Sequence, residues 1–219
     1  MRRQIATAIC LLAALRMASA CRSPHVEDLQ TVEFRLPLDG LADGSTDAPL
    51  MLVEFGSYTC PACRVLADST LPGVEERFIT SGLLRYAYVD LSPAAAEAVS
   101  ALVECWSAQR GFLRARRDLY TLIAANPDSA RTLIATPPGC GAASEPLRRR
   151  QAERAMARQL NVRGTPTMVV GRPTPEGKVV GWVIIGTIPR DSLLALIESA
   201  HRRIQPAPWI DVQRLFGIR

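Results

Sequence analysis

The sequence predicts an α/β fold in which a central mixed β-sheet is flanked by helices and interrupted by an all-helical insertion. Two observations support this fold class. Short apolar strand patterns alternate with helical patterns on both sides of residues 94–160, and that block itself carries almost continuous helical periodicity. When the block is set aside, the remaining elements follow the order strand, helix, strand, strand, strand, helix. The 219 residues, of which 48% are hydrophobic, suffice for one compact domain with an insertion.

Residues 1–20 have the layout of a secretory signal peptide. Two arginines precede an apolar run at 5–15, which is too short to span a bilayer, and small residues follow up to Ala20. We therefore expect export of the chain with cleavage after Ala20. Cys21 comes next, in a segment that resembles a bacterial lipobox with alanine in place of the usual leucine. The sequence leaves two outcomes open: a lipidated protein anchored at the membrane and facing the periplasm, or a soluble periplasmic protein.

The first half of the α/β domain is predicted over residues 49–93. It follows an N-terminal linker segment at 21–48, which is polar and irregular apart from one strand. A buried strand, a helix and a second strand come in that order, and Pro72 is expected to kink the helix. The predicted elements are the strands 32–36, 50–55 and 83–89 and the helix 61–80.

The helical insertion is predicted over residues 94–160, where a stretch rich in Pro and Gly at 137–141 separates successive helices. Its last helix carries five arginines, which we interpret as a solvated face. The second half of the domain, 161–204, holds a predicted hairpin with strands at 167–170 and 179–185, then a helix with Asp191 at its N-cap. A C-terminal tail, 205–219, has no predicted role. The five arginines are Arg148, Arg149, Arg150, Arg154 and Arg158.

The basic net charge does not indicate a nucleic-acid partner. The formal charge is +5, and almost all basic residues are arginines, as a bias in base composition would produce. Aromatic residues, which nucleic-acid binding needs for base stacking, make up only 5% of the chain. We therefore expect no nucleic-acid partner.

Cys60 and Cys63 form a C-x-x-C motif between a predicted strand and a predicted helix. The backbone N–H groups and the dipole at a helix N-terminus stabilise a thiolate, and a second cysteine one turn later can attack a mixed disulfide. Pro61 suits the first helical turn. A structural zinc site needs four ligands, and the chain has no second C-x-x-C and only two distant histidines, His25 and His201. We expect no metal or other cofactor; an inert structural disulfide is the remaining alternative for the motif taken alone.

A second motif, Arg163-Gly164-Thr165-Pro166-Thr167, lies downstream of the cysteines. With Cys-Pro-Ala-Cys at 60–63, it makes the chain similar to the DsbA-like branch of the thioredoxin superfamily over roughly residues 50–203. Either motif alone would be weak, and their combination is specific. Further segments that carry the resemblance are Val53-Glu54-Phe55, Thr70-Leu71-Pro72, Ala101-Leu102-Val103-Glu104-Cys105 and Gly186.

The resemblance implies the thioredoxin fold and a role for each motif residue. Cys60 would be the attacking thiolate and Cys63 the resolving cysteine. Pro166 would follow a cis peptide bond and pack against the cysteines, which leaves the backbone of Thr165 free to pair with an extended substrate. Glu54 would lie beneath the site and take the proton of Cys63 through water. From the residues alone, Glu54 could instead be an edge-strand carboxylate that faces solvent.

Cys105 and Cys140 are the remaining cysteines of the predicted insertion. An exported chain can keep them oxidised, and some DsbA-like proteins are similar in pairing two cysteines there. The number of cysteines agrees with a structural disulfide, because Cys10 leaves with the signal peptide and Cys21 would be lipidated, so that two pairs of cysteines remain. Two free buried thiols are the alternative.

These features together predict an exported thiol–disulfide oxidoreductase that exchanges disulfides with protein thiols, with dithiol oxidation as the favoured direction. The Pro61-Ala62 dipeptide between the cysteines determines that direction only weakly. The expected partners are proteins with cysteine thiols and a membrane redox partner. A periplasmic disulfide reductase fed by a membrane electron carrier is the first alternative. A protein that binds thiols or copper, or acts like a chaperone without turnover, is the second.

Overall fold

The computed structural model describes residues 29–36, 41–125 and 145–204. Within these ranges six strands form one sheet. They are β1 (Thr31–Arg35), β2 (Leu41–Asp43), β3 (Leu50–Gly56), β4 (Leu84–Asp90), β5 (Thr167–Pro173) and β6 (Lys178–Ile185). Their spatial order is β1-β6-β5-β3-β4-β2, with β3 and β4 parallel and every other neighbouring pair antiparallel. The predicted mixed sheet and the predicted hairpin are therefore confirmed.

Helices flank this sheet, and those between β4 and β5 form the predicted insertion. In the described ranges they are α1 (Pro61–Val65), α2 (Leu71–Val74), α3 (Glu97–Arg110), α4 (Phe112–Ala125), α5 (Glu145–Gln159) and α6 (Arg190–Ile204). A π-helical turn follows each of α1 and α2, at Leu66–Thr70 and Glu75–Ile79, and a 3-10 turn at Ala94–Ala96 precedes α3. Because α6 begins at Arg190, Asp191 lies inside its first turn and is not the N-cap that the sequence predicted.

Pro72 distorts the helical run over 61–79, as expected, and the distortion begins before the proline. Proline has no N–H to donate, and its ring crowds the carbonyl four residues earlier. The preceding turn, Leu66–Thr70, adopts the wider π-helical hydrogen bonding. Leu71 and Val74 nevertheless remain buried, so the run keeps its apolar side on the sheet.

The central strand β3 is buried on both faces of the sheet. Leu52 belongs to a large apolar cluster formed with the helices α2, α4 and α6, whereas Val53 belongs to a smaller cluster on the opposite face. In the smaller cluster Met156 and Ala157 of α5 cover the sheet. All seven residues of β3 are buried, which explains why the strand has a continuous apolar run in sequence instead of an alternating one.

The structure contains an edge strand that the sequence analysis did not predict. The three residues of β2 pair antiparallel with β4, so residues 21–48 supply both edge strands, β1 and β2. Gly44 follows β2 with φ of 100°, and a Cβ there would lie 2.7 Å from the Leu84 carbonyl oxygen. Glycine is needed at that position, although in the sequence alone Gly44 indicated only a loop.

The arginines of α5 correct a second expectation. Arg150 is buried and donates to Glu97 of α3 at 2.6 Å. Arg149 is ion-paired with Glu104 of the same helix, and Arg154 donates to a backbone carbonyl just after β4 at 2.5 Å. These three side chains join α5 to α3 and to the sheet and do not form a solvated face. Of the five arginines, only Arg148 and Arg158 are exposed.

Several predictions fall outside the described residues: the signal peptide at 1–20, the lipidation of Cys21, the disulfide cysteine Cys140 and the tail at 205–219. In the part of the chain that the structure describes, none of the helices combines the length and apolar character that crossing a membrane requires.

Candidate active site

Cys60 and Cys63 lie where β3 is followed by α1. The strand ends at Gly56, and the N–H of Cys60 closes the next turn by donating to the Ser57 carbonyl at 3.1 Å. Cys60 is the N-cap of α1, with extended backbone (φ −86°, ψ 119°), and Pro61 occupies the first helical position. Both cysteines carry free thiols, and Cys60 is partly exposed whereas Cys63 is fully buried. The chain thus presents one accessible sulfur at a helix N-terminus and one sheltered sulfur a turn later.

The Thr165–Pro166 segment, which directly precedes β5, contacts Cys60, which follows the neighbouring strand β3, although 105 residues separate Cys60 from Thr165 in sequence. The peptide bond before Pro166 is cis, as the resemblance implied. The Cys60 thiol donates to the Thr165 carbonyl at 3.2 Å. The carbonyl of Pro166 accepts from the N–H of Gly186 at the end of β6 at 2.8 Å, which ties the segment to the hairpin. The two predicted motifs therefore form one site.

The pKa values of the two thiols are shifted in opposite directions. Burial alone would raise the pKa of Cys60, but hydrogen bonds from Thr165 and from the first turn of α1 outweigh it, so that pKa is lowered overall. Burial raises the pKa of Cys63 to about 12, and the negative charge of Glu54 adds to the increase. A hydrogen bond from the Ser57 backbone acts in the other direction and lowers this pKa, but burial outweighs it. At neutral pH the exposed sulfur is the better nucleophile and the buried sulfur holds its proton.

Glu54 is fully buried on the central strand β3, so it is not an edge carboxylate that faces solvent. Arg116 of α4 donates to both of its oxygens, from Nη1 to Oε2 at 2.9 Å and from Nη2 to Oε1 at 2.7 Å. The hydroxyl of Tyr86 donates to Oε2 at 2.5 Å. Arg116 Nη2 also donates to the Cys63 carbonyl at 3.1 Å. A buried ion pair therefore connects the insertion, the central strand and the helix that carries the cysteines.

Aromatic rings enclose this ion pair. The guanidinium carbon of Arg116 lies 4.9 Å from the ring centroid of Tyr88 and 5.6 Å from that of Tyr120. A Cβ at Gly56 would lie 2.7 Å from Glu54 Oε1 and 2.9 Å from the Tyr88 hydroxyl. The residue at position 56 must be small because the strand end, the carboxylate and the ring occupy the same space.

Arg116 was not among the site residues predicted from the sequence. Its helix also carries Arg114 and Arg117, so the residue resembles one of several charges on an amphipathic helix. One signal was available: Arg116 lies four residues after Phe112 and four before Tyr120, which places it on the apolar stripe of α4. A cation on that stripe predicts a buried acidic partner.

Cys105 lies in α3 and is disulfide-bonded. Its predicted partner, Cys140, lies outside the described residues, so the pairing of the two stays a prediction. Among the residues that the structure describes, no three His, Cys, Asp or Glu side chains come together as a possible metal site.

Comparison with known proteins agrees with this arrangement. A family model described as thioredoxin matches residues 38–178, more than half of the chain. The chain belongs to the thioredoxin family. The matched range includes both cysteines, Glu54, Arg116 and the cis-proline segment, so the site lies within the thioredoxin-family region.

Curated relatives match this thioredoxin-family protein over short segments. Disulfide bond formation protein D of Bacillus subtilis is 38% identical over 48 residues, which are 22% of this chain and 22% of that protein. The probable disulfide bond formation protein D of Bacillus cereus is 37% identical over 65 residues, 26% of this chain and 30% of that protein. The chain therefore matches less than a third of the length of these relatives.

Solved structures match over much more of the chain. Wolbachia pipientis alpha-DsbA1 aligns with a TM-score of 0.54 and 15% identity, covering 77% of this chain and 94% of that one. Oxidised BdbD from Bacillus subtilis aligns with a TM-score of 0.53 and 17% identity, covering 79% and 99%. At such identities the likeness concerns the fold, which is a thioredoxin fold with a helical insertion.

Proposed function

We propose that this thioredoxin-family protein is an exported thiol–disulfide oxidoreductase that exchanges disulfides with protein thiols and works as a dithiol oxidase. One observation carries the proposal. The partly exposed Cys60, whose pKa is lowered, lies 3.2 Å from the Thr165 carbonyl, while Cys63 beside it is buried and has a pKa of about 12. This asymmetry suits one sulfur to react with a substrate and the other to resolve the intermediate.

The proposed cycle starts from a disulfide between Cys60 and Cys63. A substrate thiolate attacks the Sγ of Cys60, the more accessible sulfur; the Cys60–Cys63 bond breaks, and Cys63 leaves as a thiolate that takes up a proton. A second substrate thiolate then attacks the substrate sulfur of the mixed disulfide and releases Cys60 as a thiolate. The substrate dithiol loses two electrons and the cysteine pair gains them.

The lowered pKa of Cys60 supports the oxidising direction. A thiolate that is stabilised at neutral pH favours the reduced form of the pair and makes Cys60 a good leaving group. Both effects pull electrons from a substrate into the pair. A membrane redox partner would then reoxidise the pair for the next cycle.

Thr165 and Pro166 are proposed to hold the substrate. Thr165 is partly exposed and presents its carbonyl beside Cys60, where an extended peptide could add to the backbone as a further strand. Pro166 is buried, and its carbonyl already accepts a hydrogen bond from Gly186. The substrate would thus be aligned through its backbone, which favours protein substrates of varied sequence.

Export, the lipidation of Cys21 and the Cys105–Cys140 disulfide belong to the same proposal. A signal peptide at 1–20 would bring the chain to the periplasm, either soluble or anchored at the membrane through Cys21. In that oxidising compartment Cys105 and Cys140 would form a structural disulfide. Glu54, which is buried on β3, would take up the proton of Cys63 through water.

A redox titration of the Cys60–Cys63 pair tests the function. The purified protein is equilibrated with glutathione buffers, and oxidation of a dithiol peptide is followed in parallel. For the wild type we expect a redox midpoint potential more oxidising than that of glutathione, and rapid oxidation of the peptide. Cys60→Ser should neither exchange with glutathione nor oxidise the peptide, and Cys63→Ser should accumulate mixed disulfides. A midpoint well below that of glutathione would instead identify a reductase. A pair that neither exchanges with glutathione nor oxidises the peptide would refute the proposal.

A further inference from the structure

Ser92 is a buried serine in the loop that follows β4, and the proposed cycle does not use it. The residue is 1% exposed. Its Oγ accepts the N–H of Tyr58 at 2.9 Å, although 34 residues separate the two in sequence. Tyr58 lies in the turn between the end of β3 and Cys60. One buried hydroxyl therefore joins the loop after β4 to the turn before the reactive sulfur.

The peptide group between Ser57 and Tyr58 is hydrogen-bonded at both ends. Its N–H, which belongs to Tyr58, donates to Ser92 Oγ. Its carbonyl, which belongs to Ser57, accepts the N–H of Cys60 at 3.1 Å. Because a peptide group is planar, fixing its N–H also fixes the direction of its carbonyl. The orientation of Cys60 at the start of α1 therefore depends on a peptide group that Ser92 holds.

Two helices of the insertion hold Ser92 in turn. Asp90, which is buried at the end of β4, accepts the Ser92 N–H on Oδ1 at 2.8 Å. The other oxygen of Asp90, Oδ2, accepts the hydroxyl of Ser100 of α3 at 2.5 Å. Arg154 of α5 donates from Nη2 to the Ser92 carbonyl at 2.5 Å. The N–H, the carbonyl and the hydroxyl of Ser92 are thus all bonded, and such a buried network specifies one arrangement of its members.

We propose that Ser92 is a positioning residue for Cys60, because it holds the peptide group that orients this cysteine. The inference rests on the proposed function, since it concerns the sulfur that exchanges with the substrate in that cycle. It also gives the helices α3 and α5 a part in the site, through the bonds of Ser100 and Arg154.

The position of Cys60 matters because its hydrogen bonds depend on where its sulfur lies. The Sγ lies 3.2 Å from the Thr165 carbonyl. Burial opposes the ionisation of Cys60, but hydrogen bonds with Thr165 and with the first turn of α1 lower its pKa overall. Hydrogen bonds weaken steeply as their distance and angle depart from the optimum. A Cys60 that is no longer oriented by its N–H would make these bonds for less of the time, so its pKa should rise.

Ser92→Ala removes the hydroxyl and Ser92→Thr keeps one, so the pair of variants tests the inference. The pKa of Cys60 is measured as the lower midpoint of thiolate absorbance in the reduced protein, and in Ser92→Ala it should rise by about half a unit to one unit. Below the wild-type midpoint, iodoacetamide should then label Cys60 about threefold to tenfold more slowly. Ser92→Thr should label within about twofold of wild type.

Ser107→Ala is the matched control. The Ser107 hydroxyl donates to a carbonyl of its own helix, α3, at 2.5 Å, so the variant loses a hydrogen bond in the insertion that does not involve the turn. Its Cys60 should titrate like that of wild type. A role of Ser92 in folding alone would lower the melting temperature without moving the pKa of Cys60.

Thermal melting establishes that each variant is folded. If Ser92→Ala does not fold, Arg154→Met carries the test, because it removes the hydrogen bond to the Ser92 carbonyl and should slow the labelling of Cys60 about twofold to threefold. Arg158→Met removes the same charge from an exposed position on the same helix and should match wild type. Equal labelling rates in these two arginine variants would then overturn the inference.

With a folded Ser92→Ala, a Cys60 pKa equal to that of wild type would overturn the inference, and so would an equal rise in Ser107→Ala. If the wild type oxidises the dithiol peptide and Ser92→Ala titrates like it, the inference alone fails. If the wild type does not oxidise the peptide while Ser92→Ala still raises the pKa of Cys60, the proposed function fails and the positioning role of Ser92 stands.

Discussion

The buried carboxyl group of Glu153 leads to a prediction about how the stability of the protein depends on pH. Its side chain on α5 is buried, accepts the N–H of Asp90 at 3.2 Å and lies 3.4 Å from Nε of Arg149. Burial raises its pKa from 4.5 to about 7, although the Arg149 charge opposes the shift. The folded protein therefore binds this proton more tightly than the unfolded chain does. The stability associated with protonated Glu153 is fully present below pH 4.5 and is lost as pH rises to about 7.

The magnitude follows from the two proton affinities. A difference between 4.5 and about 7 corresponds to about 3 kcal/mol of unfolding free energy, lost across that range. Glu153→Gln removes the titration but keeps a carbonyl oxygen for the N–H of Asp90. At pH 8 the variant should be more stable than wild type by up to about 3 kcal/mol, less what it loses in attraction to Arg149. Near pH 4 the two proteins should differ little.

Urea unfolding followed by circular dichroism, from pH 4 to pH 8 without reductant, measures the difference. Subtracting the free energies of wild type and Glu153→Gln cancels the contributions of the titrating groups that do not interact with Glu153. Glu97→Gln serves as the control, because Glu97 of α3 is ion-paired with Arg150 of α5, the helix that carries Glu153, but is about half exposed. A difference curve for Glu153→Gln that stays flat between pH 4.5 and 7, or a variant less stable than wild type at pH 8, would refute the reasoning.

Three further predictions concern the site and its frame. In the reduced protein at pH 7, iodoacetamide should label Cys60 at least about tenfold faster than Cys63, whose pKa is about 12; peptide mapping by mass spectrometry measures both, and equal rates would contradict the asymmetry. Gly56→Ala should cost about 1–3 kcal/mol in thermal melts, because the new methyl group would lie 2.5 Å from Cε2 of Tyr88; an unchanged Tm would contradict this. Asp43→Ala should cost about 1 kcal/mol, because the carboxylate accepts an N–H in the first turn of α4 at 2.5 Å, while Asp43→Asn should cost less.

Local patterns were enough to predict the parts of the fold that depend on neighbouring residues. A stretch of 30 residues contains the apolar run of β3, the turn before Cys60 and the helical run after it. The hairpin that follows Pro166 is also formed by residues close together in sequence. The meeting of Cys60 with Thr165 across 105 residues was predicted only through the family resemblance. No periodicity encodes such a long-range contact.

The buried arginines mark the limit of sequence reasoning. Arg116 and Arg150 both occur in helices with several arginines, and their acidic partners lie 62 and 53 residues away. Helical spacing determines which side of a helix a residue occupies, but the charge that meets it there depends on how the helices pack. The strand β2 was missed for a related reason, because three residues that are held by their pairing to β4 have no pattern of their own.

The distribution of the site along the chain has a consequence for how it can change. Glu54, Tyr86, Arg116 and both cysteines all come from residues 41–125, whereas Thr165 and its neighbours come from residues 145–204. The groups that raise the pKa of Cys63 therefore come from the first stretch, whereas the Thr165 hydrogen bond that lowers the pKa of Cys60 comes from the second. The second stretch also carries the backbone that we propose to hold the substrate. A substitution at Thr165 would therefore change the reactivity of Cys60 and the proposed substrate contact together, whereas substitutions around Cys63 would leave that contact unchanged.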